Sequence, residues 1–441
     1  MTARASVPDL PVLQNWSCHN CGGCCREHLI EITEDEKRRI EKQQWTAADG
    51  ISLQRPVIQK LAPGRYRLAH QDDGACVFLD DRGLCRIHAR FGEAAKPLAC
   101  RLYPYAFHPA GDHLALSLRF SCPSVVRNVG VPVTEQRSVL TQLAAEVVAD
   151  HETGLSPPLI HSGGDHGDQS VDWPDVHRFL KALETSFADE SVHFVVRLMR
   201  VLEWLALVEQ SQFQTIRGTK LDDFLNLVTR AAAKAQPDND LPVHRPSGIG
   251  RVMFRLMTAQ YARHDTEAHV RAGAAYRLSL LTSALKYTAG MGTVPELAGS
   301  ASVAQAFGES DSADARRSVR FGDLEGEFQC RQPQIDDLMA RYFRVKIQGI
   351  HFCGAANYDM TLVHGFHSLA LMYPIVMWLA RLRAARRGRS VVQLTDAQAA
   401  LATADHNFSY SPALGMANAK QRVSLLAKMK QITALAGWYS R

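Results

Sequence analysis

Between residues 123 and 329 the chain has no cysteine, although eight of its ten lie between Cys18 and Cys122 and the last two are Cys330 and Cys353. Sulfur chemistry is therefore confined to the first third. A surplus of one charge sign is also missing. The 50 Lys and Arg are interspersed with 45 Asp and Glu, which excludes the basic footprint of a nucleic-acid binder. Long apolar runs are scarce. The best, "GFHSLALMYPIVMWLA", has 16 residues against the roughly 20 that cross a bilayer, and it contains His367, Ser368 and Pro374. With "RLRAARRGR" after it (Arg381, Arg383, Arg386, Arg387, Arg389), it reads as a buried helix with a solvated basic end, and no transmembrane span is expected. The start, "MTARASVPDLPVLQNWSC", lacks a basic end, an apolar run and a small-residue cleavage site. A cytoplasmic location follows as the expectation, and there dense cysteine means metal or redox chemistry rather than a disulfide knot.

What is present falls into two styles. The first third is poor in regular structure. "TEDEKRRIEKQQW" opens a helix at Thr33 with Glu36 completing a capping box, and "HLALSLRF" alternates Leu114, Leu116, Leu118 and Phe120 like a half-buried strand. "RYRLAH" is a partner strand running into the turn "QDDG". From about residue 134 helical spacing takes over. "EQRSVLTQLAAEVVAD" puts Val139, Leu140, Leu143, Ala144, Val147 and Val148 on one face, and similar patterns recur through "QPQIDDLMARYFRVKI". The expected fold is mainly α, with a small irregular α+β cysteine-rich N-terminal domain (residues 1–130) and a helical C-terminal domain (131–441). Breakers mark a linker at about 151–173, where Pro174 opens the next helix, and small aperiodic residues mark a mobile loop at about 289–319.

The densest stretch, "SCHNCGGCCRE", holds Cys18, Cys21, Cys24 and Cys25. A C-x2-C step lets a tight turn aim two sulfurs at one centre, and Cys18, Cys21 and Cys24 make two steps in series, as at the opening of a bacterial ferredoxin ligand run. Gly22 and Gly23 let backbone N–H groups approach the sulfurs. Neighbouring side chains point apart, so Cys24 and Cys25 are expected to serve different roles. Cys76, Cys85, Cys100 and Cys122 make up a second set of four, with His88 as a candidate nitrogen donor. Spacing alone suits zinc and iron equally. In the helical part, Asp359, His364, His367, Asp405, His406 and Tyr410 are the polar residues on or beside apolar helices.

"CHNCGGCCR", "CVFLDDRGLCRIHARFG" and "KPLACRLYPY" together resemble the CxxCxxCC cysteine-cluster family of zinc- or iron-chelating proteins. The helical remainder, through "LMARYFRVKI", the apolar helix near 365–380 and "SVVQL…ADHNFSYS", is similar to one branch of it, the flagellin lysine N-methylases. The resemblance implies metal ligation by Cys18, Cys21, Cys24, Cys25, Cys76, Cys85 and Cys100, with Cys122 added from its place. It also implies a 4Fe–4S iron–sulfur cluster or zinc, and transfer of a methyl group from S-adenosylmethionine to lysines of a protein partner such as flagellin. The residues show no strand followed by G-x-G-x-x-G, and His28 stands where a third cysteine would complete C-x3-C-x2-C after Cys21 and Cys25. The contrasting expectation is a non-catalytic zinc- or iron-binding or redox module whose helical domain docks a partner.

Overall fold

The computed structural model describes residues 6–52, 56–150, 156–163, 167–236, 243–263, 267–295, 307 and 317–441. Most of the chain is helical. Among the described residues short strands are confined to the N-terminal part, so the mainly α reading with a small α+β cysteine region holds. Most of the aperiodic stretch near 289–319 and parts of the 151–173 segment lie outside the described residues.

Three small antiparallel sheets frame the cysteine segments. Glu31–Ile32, Arg65–Leu68 and Ile58–Ala62 form one, with Arg65–Leu68 central. The helix Glu34–Glu41 begins at the predicted capping box, in which Thr33 accepts from the Glu36 N–H and Glu36 accepts from the Thr33 N–H. Beneath it, Ile32, Ile40, Ile51, Leu68, Phe78 and Ile87 make a small core of their own. Asn15–Trp16 pairs with Val131–Pro132, and Tyr105–Pro109 pairs with Leu114–Leu118.

That last hairpin departs from the half-buried expectation. All five residues of Leu114–Leu118 are buried, because the Pro333–Gln348 helix and the turn after it cover the face carrying Ala115 and Ser117. Gly349 sits so close to Ser117 that a Cβ there would collide with it. The hairpin is thereby a wall of the main core, which it shares with the long helices.

Those helices lie largely where the 3.6-residue pattern puts them: Arg137–Asp150, Trp173–Ser186, Phe194–Glu209, Thr219–Ala235, Gly248–Tyr261 and Pro333–Gln348. Pro174 lies in the first turn of its helix, behind the Asp172 cap. In Arg137–Asp150 the buried face is Leu140, Leu143, Ala144 and Val147, while Val139 is 54% exposed. Leu362–Arg386 is long and apolar enough to cross a membrane, yet 94% of its most apolar window is buried inside the protein. It is the central helix, with Leu394–Asn407 and Gln431–Ser440 packed on it.

The basic end of the central helix is not simply solvated. Arg381 is fully buried, and its guanidinium donates to the carbonyls of Leu324, Gly326, Trp438 and Arg441. Arg387 and Arg389 both hold the buried Asp396 carboxylate, at 3.0 and 2.8 Å. Charge patterning marks these residues as surface, but a guanidinium buries readily where its forked donors find oxygens.

Candidate metal centre

The motif "CHNCGGCC" bends because two residues next to each other in space need left-handed backbone. Asn20 (φ +53°) and Gly22 (φ +67°) turn the chain so that Gly23–Glu27 begins a short helix carrying Cys24 and Cys25. The "DRGLC" loop closes over this turn. Gly83, at φ +78°, lies against the Asn20 carbonyl, and any Cβ there would strike that oxygen. The loop also brings Cys85 to the N-terminus of the Arg86–Phe91 helix. We expect Gly83→Ala to cost about 1–3 kcal/mol, from φ strain and from the clash, and thermal unfolding of the variant measures it.

One group of thiols gathers here. The Cys76 N–H donates to the Cys25 carbonyl at 2.7 Å, and Cys25, Cys76, Cys85 and Cys100 all pack in the small core around Phe78. The Cys24 and Cys25 sulfurs are 3.9 Å apart. They meet rather than diverge, although consecutive residues of a helix project in different directions. Burial raises the Cys76 thiol far above its ordinary range, and the nearby Cys100, Cys85 and Cys24 add to the effect. Cys100 is pushed up to about 12 by burial, then by Cys85 and Cys24. Cys24, Cys85 and Cys100 all lie near enough to act on Cys76, so these thiols share a small volume.

A second group lies on the other flank of the motif. Cys18 and Cys21 are exposed, and Cys122 is buried at the start of the Pro123–Arg127 helix. Burial pushes Cys122 up to about 12, with Cys21 close enough to contribute. Burial also raises Cys21, and Cys24 and Cys18 act in the same direction. His88 is exposed on the Arg86–Phe91 helix and is not part of the apolar cluster.

Among the described residues no three or more Cys, His, Asp or Glu side chains stand in ready ligating positions. The donor chemistry fits a thiophilic metal all the same. All the cysteines are free, and the Lys96 ammonium lies near enough to Cys24 and Cys100 to favour their thiolates. A metal ion supplies the charge that would let these thiols ionise together.

Sequence patterns did not reveal how this region is fastened to the helices. His28, three residues after Cys25, lies between Tyr103 and His406, with ring centroids 4.7 and 5.1 Å away. Glu27 faces His406 at 3.8 Å. Arg119 lies over the Tyr410 ring at 3.7 Å and donates to the His406 carbonyl. Deeper in, the Lys346 ammonium meets the Asp405 carboxylate at 2.8 Å with both side chains fully buried. Asp405 also accepts from the Tyr342 hydroxyl and the Ser121 N–H, and Lys346 donates to the Leu118 carbonyl. Of the polar residues singled out in the helical part, Asp405, His406 and Tyr410 thus face the first third. His364 bonds instead to the Lys420 carbonyl, His367 is buried in the central helix, and Asp359 lies in the turn at Gly354. The clue was a charged pair, Asp405 and His406, in the small-residue run "AALATADHN".

Two buried imidazoles give a pH dependence. Burial holds His367 down at about 4 and His351 well below its ordinary value. The unfolded rings titrate near 6.5, so their contribution is intact above about pH 6.5 and is lost as pH falls toward 4, where only the unfolded chain gains the protons. Near pH 5 the loss should be about 1.4 kcal/mol per pH unit for each ring. Denaturant unfolding between pH 7 and 4.5 measures it, and His367→Gln should flatten the slope by one proton.

Residues 17–123 match the CxxCxxCC family model, described as "Putative zinc- or iron-chelating domain". The match takes in all eight N-terminal cysteines and ends one residue after Cys122. No curated protein and no solved structure matches the chain.

Proposed function

We propose that the CxxCxxCC segment binds an iron–sulfur cluster of the 4Fe–4S type, with Cys24, Cys76, Cys85 and Cys100 as its inner thiolates. Cys25 stands against them, and Cys18, Cys21 and Cys122 form an outer group beside the same motif. The observation that carries this reading is that Cys76, Cys85 and Cys100 pack in one small apolar core, with Cys24 of the motif close enough to act on Cys76 and Cys100. An all-sulfur donor set suits iron–sulfur clusters and zinc alike, and the likeness of the helical part to flagellin lysine N-methylases, which implies a cluster, favours iron. The Phe78 backbone N–H reaches the Cys76 sulfur, the kind of hydrogen bond that tunes a cluster thiolate. Such a cluster, when bound, supplies one-electron chemistry and a tie between loops. Analysis of protein purified without oxygen should give close to four iron and four acid-labile sulfide per chain, by the definition of the cluster. Stoichiometric zinc without iron would replace this reading with a structural zinc site.

The enzymatic form of the proposal is lysine methylation in the cytoplasm, supported by the likeness of the helical part to flagellin lysine N-methylases. The ε-nitrogen of a lysine on a flagellin-like partner, having lost its proton, would take the methyl group of S-adenosylmethionine. The carbon–sulfur bond breaks with its electron pair going to sulfur, and S-adenosylhomocysteine leaves. The balanced charge of the chain favours a protein partner over nucleic acid. Incubating the anaerobically reconstituted protein with methyl-labelled S-adenosylmethionine and host lysate should label a protein band at lysine. No label alongside an intact cluster would leave a non-catalytic metal-binding module.

A further inference from the structure

A cavity of about 360 Å³ lies away from the inner thiols, bordered by the end of the Pro123–Arg127 helix, the Phe194–Glu209 helix and the Pro333–Gln348 helix. Arg127, Arg197, Arg341 and Arg344 all line it, against the exposed carboxylates of Glu190 and Asp337. Most of the hydrogen bonds these guanidiniums make go to neutral acceptors. Arg341 donates to the Gln14 side-chain oxygen and to the carbonyls of Val125 and Val126, all neutral, which leaves two of its five N–H donors without a protein partner among the described residues. Burial alone draws its guanidinium down to about 10, with no carboxylate acting against that. Arg197 donates to two carbonyls, and Asp336, Asp189, Glu190 and Asp337 lie near enough to favour its charge. Arg344 reaches Glu184 at 3.2 Å, but its Nε is buried without a hydrogen-bond partner among the described residues. Apolar surface from Phe187 and Leu338 completes the wall.

We propose that this cavity binds a small phosphate monoester, its phosphate against Arg127, Arg341 and Arg344 and its organic body against Phe187 and Leu338. A tetrahedral dianion presents oxygens in several directions and so answers guanidiniums arriving from different helices, whereas a planar carboxylate satisfies one fork at a time. The volume is that of an ordinary small-molecule site. The positive lining disfavours S-adenosylmethionine, whose sulfonium and ammonium outweigh its carboxylate. The cavity contains no cysteine, so this inference stands apart from the metal reading.

Calorimetric titration of the full chain with phenyl phosphate tests it, with phenol, phthalate and S-adenosylmethionine as comparisons. Phenyl phosphate should bind saturably and more weakly at high salt, and phenol should not bind. Arg344→Gln should weaken binding about tenfold through loss of one charge-assisted contact. Asp337→Asn, on the rim, should tighten it about threefold by removing a repelling charge, a gain that a misfolded variant would not give. Absence of saturable binding, equal binding of phenol, or unchanged affinity in both variants would overturn the proposal. So would displacement by S-adenosylmethionine, or phthalate binding as tightly as phenyl phosphate.

Discussion

Replacing Cys76 and Cys100 together by serine is expected to remove essentially all of the bound metal and to unfold the small core around Phe78. Both sulfurs lie in the inner group, and both side chains are held among apolar residues. The loops they tie have short sheets and five- to eight-residue helices, too little regular structure to order themselves. Metal binding in small thiolate sites contributes on the order of 10 kcal/mol to folding, which exceeds the whole stability of many domains. Limited proteolysis should therefore cut the variant within residues 17–123 while the helical part persists. Cys353→Ala is the control. That cysteine is buried in the main core far along the chain, so the variant should lose some stability and keep its metal. Full metal content in the double serine variant would remove these two residues from the ligand set.

The second large effect concerns Lys346 and Asp405. Asp405→Ala should destabilise the protein by about 3–5 kcal/mol, because it strands a fully buried ammonium and leaves the Tyr342 hydroxyl and Ser121 N–H without their acceptor. Lys346→Met should cost a similar amount by leaving the carboxylate uncompensated. Replacing both, as Lys346→Met with Asp405→Leu, should cost clearly less than the two single losses added together, since two charges no longer need burying. Chemical denaturation of the four proteins measures the coupling. Small additive losses would mean that the pair does not fasten the Leu114–Leu118 hairpin to the helices. Because Ser121 precedes Cys122 and His406 follows Asp405, such loosening should also be felt at the outer thiols.

These two effects mark the limit of what the sequence made legible. Local signals carried through: the Thr33 and Glu36 capping box, the helical spacing of most long helices, the burial of the central helix and the crowding of cysteine before residue 123. What failed was set by contacts between distant segments. The alternation in "HLALSLRF" showed an apolar face but not that the Pro333–Gln348 helix would cover the other. The Arg381 run looked like surface because its acceptors, the carbonyls of Leu324, Gly326, Trp438 and Arg441, lie far off in sequence. The grouping of the thiols has the same cause. The C-x2-C series is legible and stays together, since Cys18 and Cys24 both act on Cys21, but the spacing does not show that Cys76, Cys85 and Cys100 close on Cys24 from the other side.

The most direct measurement is X-ray absorption at the iron and zinc edges of protein purified without oxygen. The account predicts iron in a sulfur-only first shell with a short iron–iron vector, both lost in the Cys76→Ser, Cys100→Ser double variant. A first shell of nitrogen and oxygen donors, or a metal signal unchanged in that variant, would contradict it.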